Sequence, residues 1–208
     1  MYQPNNHIRA IVFDFGGVLL DWNPRYLYRK LFNGDSSRME RFLTEIDFVG
    51  WNFQQDKGRP FAVAVAELSA QFPQYADLIK AYSERWEESI AGPIEATVDI
   101  LQELKRAGYP LYGLSNWSLE TYQRVRTKYP FFKLFETILV SGEVQLAKPD
   151  PRLFTLFLER IGRLAEECLL IDDSHVNIEA AQQMGFSTIQ FESSSQLEQD
   201  LQRLGILR

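Results

Sequence analysis

From Ile8 onward, short apolar runs alternate with amphipathic stretches along this chain. Ala10-Ile11-Val12-Phe13 is β-branched and aromatic and stops at Asp14, Gly16 and Gly17. That pattern predicts a buried strand followed by a tight turn. Leu111-Tyr112-Gly113-Leu114 stops likewise at Ser115-Asn116, and Thr137-Ile138-Leu139-Val140 stops at Ser141-Gly142. Cys168-Leu169-Leu170-Ile171 ends at Asp172-Asp173, and Thr188-Ile189-Gln190-Phe191 runs into Glu192 and serines. Between the runs the period changes. Leu153, Phe154, Phe157, Leu158 and Ile161 share one helical face, and Leu197, Leu201 and Leu204 stripe another. Asn177 to Met184 predicts a short helix closed by Gly185. Unbroken apolar strands between helices predict an α/β fold with a doubly wound parallel sheet covered on both faces.

One stretch departs from this rhythm. Pro24 to Ile90 has no clear strand but several amphipathic helical segments, among them Phe61 to Phe72 and Leu78 to Trp86. Asp21-Trp22-Asn23-Pro24 predicts a hinge, with Pro24 in the first turn of a helix, and Pro93 marks the return. The expected organisation is a core made of 1–20 and 91–208, with a helical insertion over 21–90 above the end of the first strand.

Composition narrows the function classes. Of 208 residues, 45% are hydrophobic and 24% charged, an ordinary globular balance. The net charge of −6 and the lack of a Lys/Arg cluster argue against a nucleic-acid partner. No apolar run approaches the roughly 20 residues needed to cross a bilayer, and Met1 to Ala10 is polar. Cys168 is the single cysteine, which fits a reducing compartment and a buried apolar role. A cytoplasmic protein without membrane or nucleic-acid partners is expected. The oligomeric state is not readable.

The candidate chemistry lies where the strands stop. Ligands of open α/β sheets bind beyond the carboxyl ends of the strands, so Asp14, Ser115-Asn116 and Asp172-Asp173 should converge. Lys148, in a loop after the third of these runs, can reach the same crevice. Acids, a hydroxyl and one lysine suit a site for a divalent cation together with a phosphate. Adjacent acids at the end of a buried strand are electrostatically costly without a cation.

Phe13-Asp14-Phe15-Gly16-Gly17-Val18-Leu19, Leu114-Ser115-Asn116, Lys148-Pro149-Asp150-Pro151 and Ile171-Asp172-Asp173-Ser174 with Asn177 resemble, in order, the four motifs of the haloacid dehalogenase superfamily. The likeness is nearest to its epoxide-hydrolase N-terminal-like group and bacterial sugar-phosphate phosphatases, with 21–90 resembling that family's first class of helical cap. The resemblance implies a magnesium-dependent phosphatase acting on a small phosphorylated metabolite such as a sugar phosphate. Asp14 would be nucleophile and metal ligand, Gly16 would offer its carbonyl to the metal, and Asp173 would be a further ligand. Ser115 and the Asn116 backbone would hold phosphate oxygens, Lys148 would neutralise charge, and Asp172 would support or join the ligands. In the cap, Trp51 and the stretch Asp56-Lys57-Gly58-Arg59 could grip a hydroxylated substrate, or Trp51 could simply be buried.

Two positions depart from the pattern. Most phosphatases of this superfamily carry a second aspartate, the general acid, where Gly16 stands. Without it the departing oxygen leaves unaided, which favours aryl and anomeric sugar phosphates, or it is protonated by water or a cap group such as Asp56. Gln145 stands where relatives often have glycine. Three other functions compete. Dehalogenases of the superfamily tend to carry tyrosine at the Gly16 position. A silent binding protein would not need every metal and phosphate position, and a phosphoacceptor receiver domain orders its acids and lysine oppositely and lacks a cap.

Overall fold

The computed structural model describes residues 7–207; Met1 to Asn6, part of the polar start, and Arg208 lie outside the described residues. Five parallel strands form one sheet in the order β5-β4-β1-β6-β7, where β1 is Ala10–Phe13, β4 Leu111–Ser115, β5 Thr137–Val140, β6 Cys168–Asp172 and β7 Ser187–Gln190. All five expected runs form these strands, with no end shifted by more than one residue. From β1 the chain moves outward through β4 to β5, then returns to the other side of β1 for β6 and β7. The strand order therefore reverses at β1, and Asp14 follows it directly.

The continuous apolar runs have a simple cause: successive side chains point to opposite faces, and both faces are covered. Ile11, Phe13, Leu169 and Ile171 pack into one hydrophobic cluster, whereas Ala10, Val12, Cys168 and Leu170 pack into the other. The helix Pro151–Ile161 buries Leu153, Phe154 and Phe157 against the second cluster. His175–Gln183 is the helix expected after the acidic pair, and Gly185 takes a left-handed φ of 95° just beyond its end.

Between Leu20 and Pro93 the structure adds what the sequence pattern does not reveal. Two short strands, β2 (Leu20–Trp22) and β3 (Ile90–Pro93), pair antiparallel and clasp the helical stretch between them. The three residues of β2 are too few to display a period, and β3, Ile-Ala-Gly-Pro, carries a glycine and a proline that read as a break. Helices Pro24–Leu31, Ser36–Glu45, Phe48–Asp56, Phe61–Gln71 and Ala76–Glu84 fill the stretch. The Asn23 side chain caps the first by accepting from the Arg25 N–H, with Pro24 in its first turn. Their apolar faces join the same cluster as Phe13 and Phe15, so one core runs from the sheet into the helices. Among the described residues no helix is long and apolar enough to cross a membrane.

Candidate active site

Because β1, β4 and β6 are parallel and adjacent, their carboxyl ends meet along one edge. Asp14, Ser115 and Asp172 are delivered there, with Asp173 one residue further on. One carboxylate oxygen from each of Asp14, Asp172 and Asp173 lies within 4.8 Å of the others. Phe15, next to the cluster, points the opposite way and is fully buried edge-on against Phe132 and Phe135. Burying such a ring stabilises by roughly 1.5–3 kcal/mol, which anchors the loop. The Phe15 N–H donates to Asp14 Oδ1 at 2.7 Å, fixing that carboxyl's orientation.

Lys148 sits at the centre and its side chain has no solvent exposure. Its Nζ donates to Leu114 O at 2.8 Å, Asp172 Oδ2 at 2.5 Å and Asp14 Oδ2 at 3.1 Å. An ammonium has three hydrogens, and these three acceptors occupy them. In this geometry Lys148 holds the two acids and has no hydrogen left for a further acceptor. Burial alone would lower its pKa, but the Asp14 and Asp172 carboxylates outweigh that and raise it.

Asp172 is enclosed. Besides Lys148 it accepts from the Ser174 N–H at 2.8 Å and from Asn177 Nδ2 at 3.0 and 3.1 Å. Asp173 is exposed, with a carboxylate oxygen close to those of Asp14 and Asp172. Burial pushes the Asp14 carboxyl up to about 6, against Lys148 and the Ser115 hydroxyl, with Asp172 and Asp173 pushing further upward. Desolvation and Asp172 likewise raise Asp173. Acids gathered where burial and mutual repulsion disfavour negative charge form a donor set that a hard divalent cation would relieve.

The Asn116 side chain does something sequence reading did not foresee. Its Nδ2 donates to Lys148 O and its Oδ1 accepts the Lys148 N–H, both at 2.8 Å. This clamp positions the lysine loop, whereas Ser115 is buried beside Asp14. Gln145 adopts a left-handed φ of 58°, the conformation for which glycine carries no steric penalty. His175 is exposed, with its ring nitrogens 3.2 Å from Glu179 and 3.3 Å from Gln190.

Trp51 does not join the site. It is buried among Phe48, Phe61 and Tyr82, and its indole N–H donates to Ala64 O at 3.3 Å. Three other tryptophans, Trp22, Trp86 and Trp117, line a small cavity of about 70 Å³ beside Gly16 together with Asn52 and Asp56. A larger cleft of about 710 Å³ opens between the helices and the sheet edge, reaching Lys148, Asn116 and Asp56. Trp117 directly follows Ser115-Asn116, which was the one sequence signal for this aromatic wall.

The two adjacent glycines differ. A Cβ at Gly16 would meet nothing within 4 Å. Gly17 has φ +76°, and a Cβ there would lie 2.4 Å from Asp173 Oδ2. Gly17→Ala should therefore displace Asp173 and destabilise the turn by about 1 kcal/mol or more. Thermal melting checks this, and a variant that melts at the wild-type temperature would refute it.

Comparison with known proteins fits this geometry. The family model described as haloacid dehalogenase-like hydrolase matches residues 8–185. A phosphorylated carbohydrates phosphatase of Thermotoga maritima is 23% identical over 88% of this chain and 84% of its own. An (S)-2-haloacid dehalogenase of Pseudomonas fluorescens is 32% identical, covering 86% of this chain and 82% of its own. A HAD family enzyme from Bacteroides thetaiotaomicron, solved in complex with magnesium and inorganic phosphate, is 26% identical with a TM-score of 0.68. That match covers 91% of this chain and 98% of the other.

Proposed function

This chain belongs to the haloacid dehalogenase-like hydrolases, and on that premise we propose that it is a magnesium-dependent phosphatase of a small phosphorylated metabolite, of the sugar-phosphate kind. The observation that carries this reading is the gathering of Asp14, Asp172 and Asp173 around a fully buried lysine at the switch point of the sheet. Residues 21–90 would serve as a cap over the core of 1–20 and 91–208.

Asp14, the Gly16 carbonyl and Asp173 would hold the magnesium. When bound, the ion offsets the crowded carboxylates and lets a phosphate anion approach them. Asp14 is oriented by the Phe15 N–H and Lys148, so its carboxylate can attack phosphorus and carry the phosphoryl group as an acyl phosphate. Water then attacks phosphorus, releasing phosphate and restoring Asp14. Two displacements replace one difficult step. Ser115, Lys148 and the Asn116 backbone would stabilise the transferring group, the lysine by charge. Trp22, Trp86 and Trp117 would form the wall against the rest of the substrate.

The higher identity to the Pseudomonas fluorescens dehalogenase favours a second reading, hydrolytic dehalogenation. A haloacid's carboxylate would have to be held by backbone and hydroxyl donors. Of the cations lining the large cleft, Arg25 is tied to Glu40 at 2.6 and 2.8 Å and Lys148 is tied to its two acids. One assay separates the two. Phosphate release from phosphorylated sugars should require magnesium, stop with chelator, and fall about 10²-fold or more in Asp173→Ala. Full activity in excess chelator, or chloride release from 2-chloropropionate without phosphate release, would overturn the phosphatase reading.

A further inference from the structure

We propose that Asp56, delivered from the helical segment, donates the proton to the departing oxygen and then accepts one from the attacking water, taking the role that a side chain at Gly16 would fill. The inference rests on the phosphatase reading above. Gly16 and Asp56 line the same small cavity, and the space beside the Gly16 Cα is empty to 4 Å. Asp56 also lines the larger cleft through which a substrate must pass. No other carboxyl lining either space is available. Glu40 is paired with Arg25, Asp47 accepts from the Gly50 N–H, and neither lines the small cavity.

The local structure is built to aim this group. Asp56 ends the helix Phe48–Asp56, and its carbonyl accepts from the Ser141 hydroxyl, which in turn accepts the Trp117 N–H at 2.8 Å. Its Oδ1 accepts the Ser118 N–H at 3.2 Å, and its Oδ2 accepts Asn52 Nδ2 at 2.9 Å. The Tyr82 hydroxyl donates to Asn52 Oδ1 at 2.9 Å, so the amide must present its N–H to Asp56. Each carboxyl oxygen thus already accepts one donor, and an acid proton has to occupy a remaining lone pair, away from Ser118 and Asn52. Among the described residues no Lys, Arg or His nitrogen pairs with this carboxyl. Its proton is retained in the neutral range, pushed up to about 8 by burial, against the Ser118 N–H and with added repulsion from Asp14. The ionisable groups facing it are Asp14 from the core and Tyr82 from the helix Ala76–Glu84.

The step balances. Asp14 forms its bond to phosphorus as the ester P–O bond breaks, and the released electron pair takes the Asp56 proton, giving an alcohol and an Asp56 carboxylate. Water then attacks phosphorus and passes a proton to Asp56. The Asp14–phosphorus bond breaks and the pair returns to the Asp14 carboxylate.

The test compares ethyl phosphate, whose leaving group needs a proton, with 4-nitrophenyl phosphate, whose leaving group does not. Wild type should hydrolyse the two within about tenfold of each other, while Asp56→Asn should lose about 10²–10⁴-fold on ethyl phosphate and far less on the aryl ester. Gly16→Asp placed in the Asp56→Asn chain should recover ethyl phosphate hydrolysis, because that space is open. A wild-type preference for the aryl ester of about 10³-fold or more would overturn the proposal without any variant, the full size of an acid–base contribution being then absent. Equal losses on both esters in a folded Asp56→Asn protein would overturn it too. A wild type that hydrolyses neither ester removes the phosphatase reading and this proposal with it.

Discussion

Asp14→Asn should lose about 10⁴–10⁶-fold in turnover, the scale seen when a covalent nucleophile is removed, and should nonetheless fold. Asparagine keeps the shape, and its Oδ1 can still accept the Phe15 N–H. The stability change has a definite sign. The folded protein raises the Asp14 carboxyl from 3.8 to about 6, so ionised Asp14 is less favourable folded than unfolded. With a raised acid, its contribution to stability is fully present below the unfolded pKa and is lost as pH rises through the folded one. At neutral pH the metal-free protein therefore carries a penalty that asparagine removes, on the order of 1–3 kcal/mol. In chelator, Asp14→Asn should melt higher than wild type. With magnesium added, wild type should gain more than the variant does. Substantial turnover by a purified Asp14→Asn protein would sink the nucleophile assignment, and a lower melting temperature in chelator would sink the electrostatic account.

Lys148→Met should cost activity, though less than Asp14→Asn does, and, unlike Asp14→Asn, should destabilise the fold. Methionine keeps most of the stem's volume but leaves Asp14 and Asp172 without their shared counter-charge and Leu114 O without its donor. Removing one partner of a buried ion pair typically costs about 3–5 kcal/mol. The loss in kcat should be about 10²–10³-fold, the scale for removing one stabilising group from a dry site. Asp172→Asn added to Lys148→Met should recover part of the stability, since the uncompensated charge is gone, but none of the activity. Denaturant unfolding of the single and double variants measures the coupling. Strict additivity would mean that Lys148 and Asp172 do not act as a unit.

Much of this protein was legible from residue order alone, and the reason is short-range. Both faces of the sheet are buried, so β1, β4, β5, β6 and β7 had to be apolar throughout, and parallel strands had to stop along one edge. Residue order alone therefore places Asp14, Ser115 and Asp172 together, and Pro24 and Gly185 mark helix ends through their own backbone preferences. What remained hidden depends on residues meeting across long separations. Asp56 reaches Ser118 across 62 positions and Ser141 across 85, and no periodicity encodes those meetings. Trp51 and Trp22 are equally apolar as letters, but packing sends the first into the helical core and the second to the cavity wall. Lys148 was visible as a charge near the crevice, while its burial and its three acceptors follow from how β4, β6 and the Asn116 clamp enclose it. Local order wrote the strands and their terminal acids. Which group faces the leaving oxygen was decided by how the helices lie on the sheet.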